Sequence, residues 1–192
     1  MIRLPWFDFR TPRSVTEAAK VLTGEGPRAM LIAGGTDLVP NMKRRHQTPS
    51  VLVSLRGVPE LKRIANGSGL TLGAGLTLTE LVRSALLREQ YLGLWQAAAQ
   101  IATPHLRNAG TLGGNLCLDT RCTYYNQSHE WRKAIEYCLK KDGKTCWVAT
   151  ASKRCVAASS TDSAPMLIAL GAKVKLVSVA GGGGGGGAGR GQ

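Results

Sequence analysis

Met30-Leu31-Ile32-Ala33-Gly34-Gly35-Thr36-Asp37-Leu38 is the stretch on which the fold turns. A short apolar run reads as a buried strand, and it enters a double glycine and then a new apolar start at Leu38, with Val39 and Met42 extending a short helix. Paired glycines let the backbone turn tightly and aim successive N–H groups at one point, and a helix start adds a field that favours phosphate. An ordinary strand-to-helix turn explains the loop equally well. Thr36 could add a hydroxyl donor, while Asp37 reads as a helix N-cap.

Working outward, Ser14-Val15-Thr16-Glu17 is a capping-box pattern that opens a helix near Val15, ending by Gly24. Val51 to Leu55 reads as a strand beside the first. Asn66-Gly67-Ser68-Gly69 separates two short strands as a hairpin turn. Thr77-Leu78-Thr79-Glu80 opens a helix running through Leu81, Val82, Ala85 and Leu86, and Leu94 to Ala102 forms another, ending before Pro104. Lys173-Val174-Lys175-Leu176-Val177 alternates as a surface strand. The end, residues 180–192, holds nine of the 24 glycines from Gly181 onward and reads as a flexible tail.

A second loop, Asn108-Ala109-Gly110-Thr111-Leu112-Gly113-Gly114-Asn115, repeats the theme, so two loops could grip a diphosphate from two sides. There is no Walker lysine and no strand-turn-helix dinucleotide fingerprint, which disfavours a P-loop NTPase and a Rossmann dehydrogenase.

The chain has 192 residues, 43% of them apolar, enough for a real core. Its 25 Lys+Arg against 12 Asp+Glu give +13, a balance that favours anionic company. The charge is spread: +5 over residues 1–56, +2 over 57–116, +4 over 117–160 and +2 beyond. Few aromatics interleave with it, so single-strand stacking platforms are poorly supported. No apolar run approaches the ~20 residues that cross a bilayer, and the N-terminus lacks the apolar core of a secretory signal, which makes the cytoplasm the expected compartment.

In that reducing compartment clustered thiols read as metal ligands before disulfides. All five cysteines, Cys117, Cys122, Cys138, Cys146 and Cys155, fall within 39 residues. Cys117 follows the second glycine loop by two residues and is expected in the core beneath it, which leaves Cys122, Cys138, Cys146 and Cys155 as a quartet. No CxxC knuckle and no CxxCxxC run occurs, so neither a zinc ribbon nor a ferredoxin module fits. Four thiolates gathered from one polar loop are compatible with a [4Fe-4S] cluster or with zinc, to which His129 could add.

The two loops, with Phe7-Asp8-Phe9-Arg10-Thr11-Pro12 and Asp162-Ser163-Ala164-Pro165, resemble the FAD-binding subunit of molybdenum hydroxylases over residues 1–179. The resemblance implies an α+β, two-lobed FAD-binding domain of the vanillyl-alcohol oxidase and molybdenum hydroxylase flavoprotein type. The first lobe would be residues 1–56 and the second 57–179, with a cysteine-rich insertion at 117–159. It implies that Leu31, Ile32, Ala33, Gly34, Gly35, Thr36, Asp37 and Leu38, with Thr111, Leu112, Gly113, Gly114 and Asn115, hold the FAD diphosphate. Ile101 would lie near the flavin, and Asp162 would bind its isoalloxazine or ribityl side, or cap the helix before Pro165.

The insertion, Leu116 to Gln127 with Glu130 to Ala134, is similar to that of the 4-hydroxybenzoyl-CoA reductase beta subunit. That likeness implies a [4Fe-4S] cluster on Cys122, Cys138, Cys146 and Cys155, shielded by Trp131, Trp147, Tyr124 and Tyr125. It further implies a molybdenum-cofactor large subunit, a [2Fe-2S] small subunit, and a ferredoxin donor whose electrons pass through the cluster and FAD, with bond cleavage elsewhere. No acid/base pair stands out in the sequence. The family continues with a further C-terminal domain where this chain has its glycine-rich end, so the chain also reads as a fragment. The alternatives are the FAD subunit of an aldehyde, purine or carbon monoxide dehydrogenase, an interaction fragment without a cofactor, or a zinc-stabilised basic module that binds nucleic acid. The expectation is no nucleic acid and no membrane partner.

Overall fold

A computed structural model describes residues 2–179; the expected glycine-rich tail lies outside them. The stretch quoted first does form a strand and a helix, as β2 (Ala29–Ile32) and α2 (Leu38–Lys43). β3 (Val51–Ser54) is the central strand, parallel to β1 (Asp8–Arg10) on one side and to β2 on the other. All four residues of β3 are buried, as a strand covered on both faces requires.

Alternation along β3 sorts its side chains to opposite faces. Val51 and Val53 pack with Ala18 of α1 (Val15–Glu25). Leu52 points the other way and packs with Leu38 and Met42 of α2, backed by Phe7, Met30 and Ile32. Burying each of these β3 side chains is worth roughly 1.5–3 kcal/mol. The Ser14 hydroxyl accepts the Glu17 amide at 3.1 Å and fixes the start of α1.

The expected hairpin is β4 (Ile64–Asn66) against β5 (Leu70–Leu72), antiparallel across Asn66–Gly69. A helical layer follows: α3 (Leu78–Arg83), α4 (Ala85–Gln90), α5 (Leu92–Gln100), α6 (Pro104–Ala109) and α7 (Leu112–Leu116). Its core is Leu76, Leu78, Leu81, Leu87, Leu94, Ala98, Ile101 and Leu112. The cysteine segment contributes one short helix, α8 (His129–Ala134), and α9 (Ala164–Ala169) closes onto α5.

Three expectations of the sequence change. The helix from Thr77 through Leu86 breaks at Ser84, whose hydroxyl leaves the ladder to cap α4 by accepting the Leu87 amide at 3.3 Å. The expected strand at 173–177 has no pairing partner among the described residues: Gly171 turns the chain at φ 64°, and Val174 and Leu176 are exposed. Alternation alone cannot make a strand without a neighbour to pair with. Cys117 is exposed, because α7 ends there and turns its side chain away from the core. Among the described residues no helix is long and apolar enough to cross a membrane.

Candidate functional site

The fold brings the two glycine loops together. A Cβ on Gly34 would overlap the Ala109 carbonyl, and one on Gly110 would come within 3.5 Å of Thr36 Oγ1. Only a residue without a side chain permits this approach at Gly34. Gly35 turns the chain at φ 71°, a left-handed conformation that glycine adopts without strain. Behind the second loop, a Cβ on Gly113 would stand 2.8 Å from the Ala74 Cβ.

The loops differ in what their backbones offer. Leu112, Gly113, Gly114 and Asn115 donate their amides to Leu76 O, Ala74 O, Thr111 Oγ1 and Thr111 O at 2.8–3.1 Å. Among the described residues, the amides of Gly34, Gly35 and Thr36 have no such acceptor. Backbone donors at a tight turn, facing a cradle that a Cβ would fill, suit a diphosphate. The residues present fit FAD at this loop.

Asp37 does not cap α2. Its carboxylate instead accepts Asn41 Nδ2 at 3.0 Å and forms an ion pair with Arg121, which fastens the cysteine segment to the first loop. Asn115 Oδ1 accepts three donors, Thr161 Oγ1 at 3.1 Å, Ser163 N at 3.0 Å and Ser163 Oγ at 2.5 Å. That holds the turn containing Asp162 beside the second loop, with Asp162 itself exposed. Ser163, not Asp162, stands at the start of α9; its own side chain makes no cap bond, and Thr161 Oγ1 accepts the Ala164 amide at 3.3 Å. Ile101 is buried in the helical core, and its carbonyl accepts Arg107 Nη1 at 2.9 Å. Leu31 and Ile32 remain partly accessible at the end of β2, and Leu38 is buried behind the loop.

Cys122, Cys138, Cys146 and Cys155 line one pocket, with Tyr124, Tyr125 and Trp147 among its walls. Trp131 is not in that wall; its ring is 6.2 Å from that of Tyr124. Among the described residues no three His, Cys, Asp or Glu converge as a single metal ion would need. Four thiols lining one pocket are the donor chemistry an iron-sulfur group would use. Backbone amides also point at the sulfurs. Those of Ala149, Val148 and Val156 hold the Cys146 thiol below its ordinary value, and Ala157 N donates to Cys155 Sγ at 3.4 Å.

Residues 5–183 match the model of the FAD binding domain in molybdopterin dehydrogenase. The chain belongs to that family. This FAD-binding domain is 38% identical over 113 residues to the carbon monoxide dehydrogenase medium chain of Hydrogenophaga pseudoflava, covering 58% of this chain and 39% of that protein. It is 32% identical over 180 residues to the aldehyde oxidoreductase FAD-binding subunit PaoB of Escherichia coli K12, covering 90% of this chain and 57% of that one. The solved carbon monoxide dehydrogenase of Hydrogenophaga pseudoflava superposes at TM-score 0.58 with 37% identity over 59% of this chain and 40% of that one. Quinoline 2-oxidoreductase from Pseudomonas putida 86 does so at 0.57, also at 37% identity and with the same coverage. The chain thus spans between about two fifths and three fifths of the length of these relatives.

The sequence missed the polar seam between the pocket and α2. His46, buried at the end of the basic run Lys43-Arg44-Arg45, stacks on Tyr125 with ring centroids 4.3 Å apart. Burial, with the nearby positive charge of Arg132, holds its imidazole down to about 4. Burial pushes the Tyr125 phenol up. Lys43 and Arg45 of that run are exposed, and His46 alone is buried, through this tertiary contact.

Proposed function

We propose that this chain is the flavin-binding part of an electron-transfer subunit in a molybdenum-containing oxidoreductase, with a [4Fe-4S] cluster on Cys122, Cys138, Cys146 and Cys155 beside its FAD. The observation that carries this reading is the shared pocket: cysteines up to 33 residues apart in sequence line it, with backbone amides on the sulfurs of Cys146 and Cys155. When bound, the two groups supply one- and two-electron redox chemistry, and the protein supplies placement and electrostatics. The amides of Gly34, Gly35 and Thr36 would donate to the diphosphate, the Thr111–Asn115 turn would wall it, and Asn115 holds the turn containing Asp162, which would bind the flavin side. Ile101, part of the helical core, would lie near the flavin. Tyr124, Tyr125 and Trp147 keep water from the thiolates. With both groups bound, the chain would take electrons from a ferredoxin-like donor and pass them toward [2Fe-2S] and molybdenum subunits, where substrate would be converted.

The aldehyde, purine or carbon monoxide dehydrogenase type is the better supported class of whole enzyme. The alignment with PaoB leaves about a tenth of the chain outside it, so it must run through at least half of the 39-residue cysteine segment. That favours an aldehyde oxidoreductase. The second reading, reductive dehydroxylation of 4-hydroxybenzoyl-CoA to benzoyl-CoA, rests on the likeness of the cysteine insertion.

Anaerobic purification followed by a visible spectrum and iron, sulfide and flavin assays tests the cofactor reading. About four irons and four sulfides per FAD are expected. Serine at any of the four cysteines should lower the iron content, whereas Cys117→Ser should not. A yellow protein without iron overturns the cluster, and a colourless one overturns the redox reading. Assays of the assembled complex for aldehyde oxidation and for 4-hydroxybenzoyl-CoA reduction decide between the substrates.

A further inference from the structure

Arg132 is 1% exposed, and among the described residues no carboxylate pairs with it. Its Nη2 donates to the Arg44 carbonyl at 3.1 Å, while Nε and Nη1 have no partner. A buried cation in that condition costs several kcal/mol unless a negative charge stands near it. The thiolate pocket is the candidate anion. The Arg132 carbonyl accepts the Tyr137 amide at 2.6 Å, and Tyr137 leads directly into Cys138. The guanidinium lies 5.8 Å from the Tyr137 ring centre. Its charge also acts on Tyr125, which lines the pocket and feels Cys138 as well.

Two other cations nearby have hydrogen-bond partners of their own. Lys140 lines the pocket with Nζ 5.1 Å from the Tyr125 ring, but the same Nζ is paired with Asp119 at 2.7 Å. Lys141 donates to the His46 carbonyl. His46 is neutral, so it neither adds to nor cancels the charge of Arg132.

We propose that Arg132 is the buried counter-charge of the four-cysteine pocket and raises the reduction potential of the iron-sulfur group held there, with Lys140 a second cation muted by Asp119. The inference rests on the cluster reading above. On reduction one electron arrives from an external donor, no bond to the protein forms or breaks, no proton is taken up, and the net charge of the group falls by one. A fixed positive charge in a poorly solvated site stabilises the more negative form more.

The test is a midpoint potential, measured on the full chain by dithionite titration followed by electron paramagnetic resonance. Arg132→Gln should shift the potential to more negative values at unchanged iron and sulfide content, and Arg132→Lys should retain most of the wild-type value. Asp119→Asn, at an exposed position, should shift it the opposite way by releasing Lys140. A cluster at wild-type potential in Arg132→Gln overturns the inference alone. If Arg132→Gln fails to fold, Asp119→Asn decides: an unchanged or lowered potential overturns it. Absence of iron from the wild-type chain overturns the cluster reading and this inference with it.

Discussion

Where the two glycine loops meet, backbone rests on backbone, with Gly34 against Ala109 and packed cores behind both sides. The cysteine segment is held by other means. Of residues 117–160 only Tyr125, Arg132, Cys138 and Cys146 are buried, too few for a core. Side-chain links to the first loop and α2 secure it instead: Arg121 to Asp37, Arg132 to the Arg44 carbonyl, Lys141 to the His46 carbonyl, and Tyr125 stacked on His46. Neutral dipoles in tight contact form one site whether or not a ligand is bound. Charged and polar links on a coreless loop form the other.

The contrast breaks most sharply at Gly34. Gly34→Val forces backbone apart at the loop contact and should cost roughly 3 kcal/mol with loss of FAD retention, because overpacking there has no flexible side chain to move. Gly114→Ala is the control: its nearest neighbour is the Thr111 hydroxyl at 3.1 Å, so it should shift stability by less than about 1 kcal/mol. Thermal melting and flavin content check both. Equal effects would show that the loop contact is no tighter than an ordinary turn.

The polar seam should respond to pH where the glycine contact does not. In the unfolded chain the His46 imidazole takes a proton below 6.5, whereas in the folded chain, buried and facing Arg132, Arg44, Lys141 and Tyr125, it does so only near 4. The unfolded state therefore binds more protons between those values, and stability falls as pH drops through that window, on the order of 2–3 kcal/mol in all. Denaturant unfolding of wild type and His46→Phe at pH 7 and 4.5 checks this. The variant keeps a stacking ring and should lose the acid sensitivity of the seam.

How much was legible in the sequence follows the same divide. β2, β3, the hairpin and the caps at Ser14 and Thr77 were readable because each depends on local pattern, and the FAD-binding fold follows from loops quoted in order. The quartet Cys122, Cys138, Cys146 and Cys155 was legible from the clustering of cysteines in 39 residues, but spacings of 15, 7 and 8 residues specify no geometry. The seam was illegible. Arg132 and His46 look like surface residues in sequence, and only long-range packing buries them. The break at Ser84 and the exposed Cys117 are the converse, local expectations overridden by a cap and by the end of α7.

A smaller effect tests the hinge between the regions. Asn115→Ala removes the single acceptor of three donors, Thr161 Oγ1, Ser163 N and Ser163 Oγ, the last two buried. Leaving them unpaired should cost roughly 2 kcal/mol. The Asp162 turn should loosen, so limited proteolysis near residues 160–163 should rise while the sheet stays protected. Unchanged cleavage would separate Asn115 from the placement of Asp162.

The smallest effect lies in the glycine-loop region, where charge matters least. Glu80 completes the capping box of α3: its carboxylate accepts Thr77 N and Thr77 Oγ1, both at 2.7 Å, and these bonds hold its pKa below the usual value. A depressed carboxylate stabilises the fold above its unfolded pKa of about 4.5 and loses that contribution as pH falls through the lower folded value. Glu80→Gln keeps the cap shape and should cost only about 0.5 kcal/mol at pH 7, against about 1 kcal/mol for Thr77→Ala, which removes the N-cap itself. Thr77 also bridges to Thr111, and Leu78 N donates to Gly110 O at 2.9 Å, so the cap sits against the second glycine loop. Both variants should nevertheless keep FAD, since the Gly34 contact is made by backbone alone. Loss of flavin in Glu80→Gln would mean that the loop depends on a carboxylate after all, and that the two regions are built more alike than their contacts suggest.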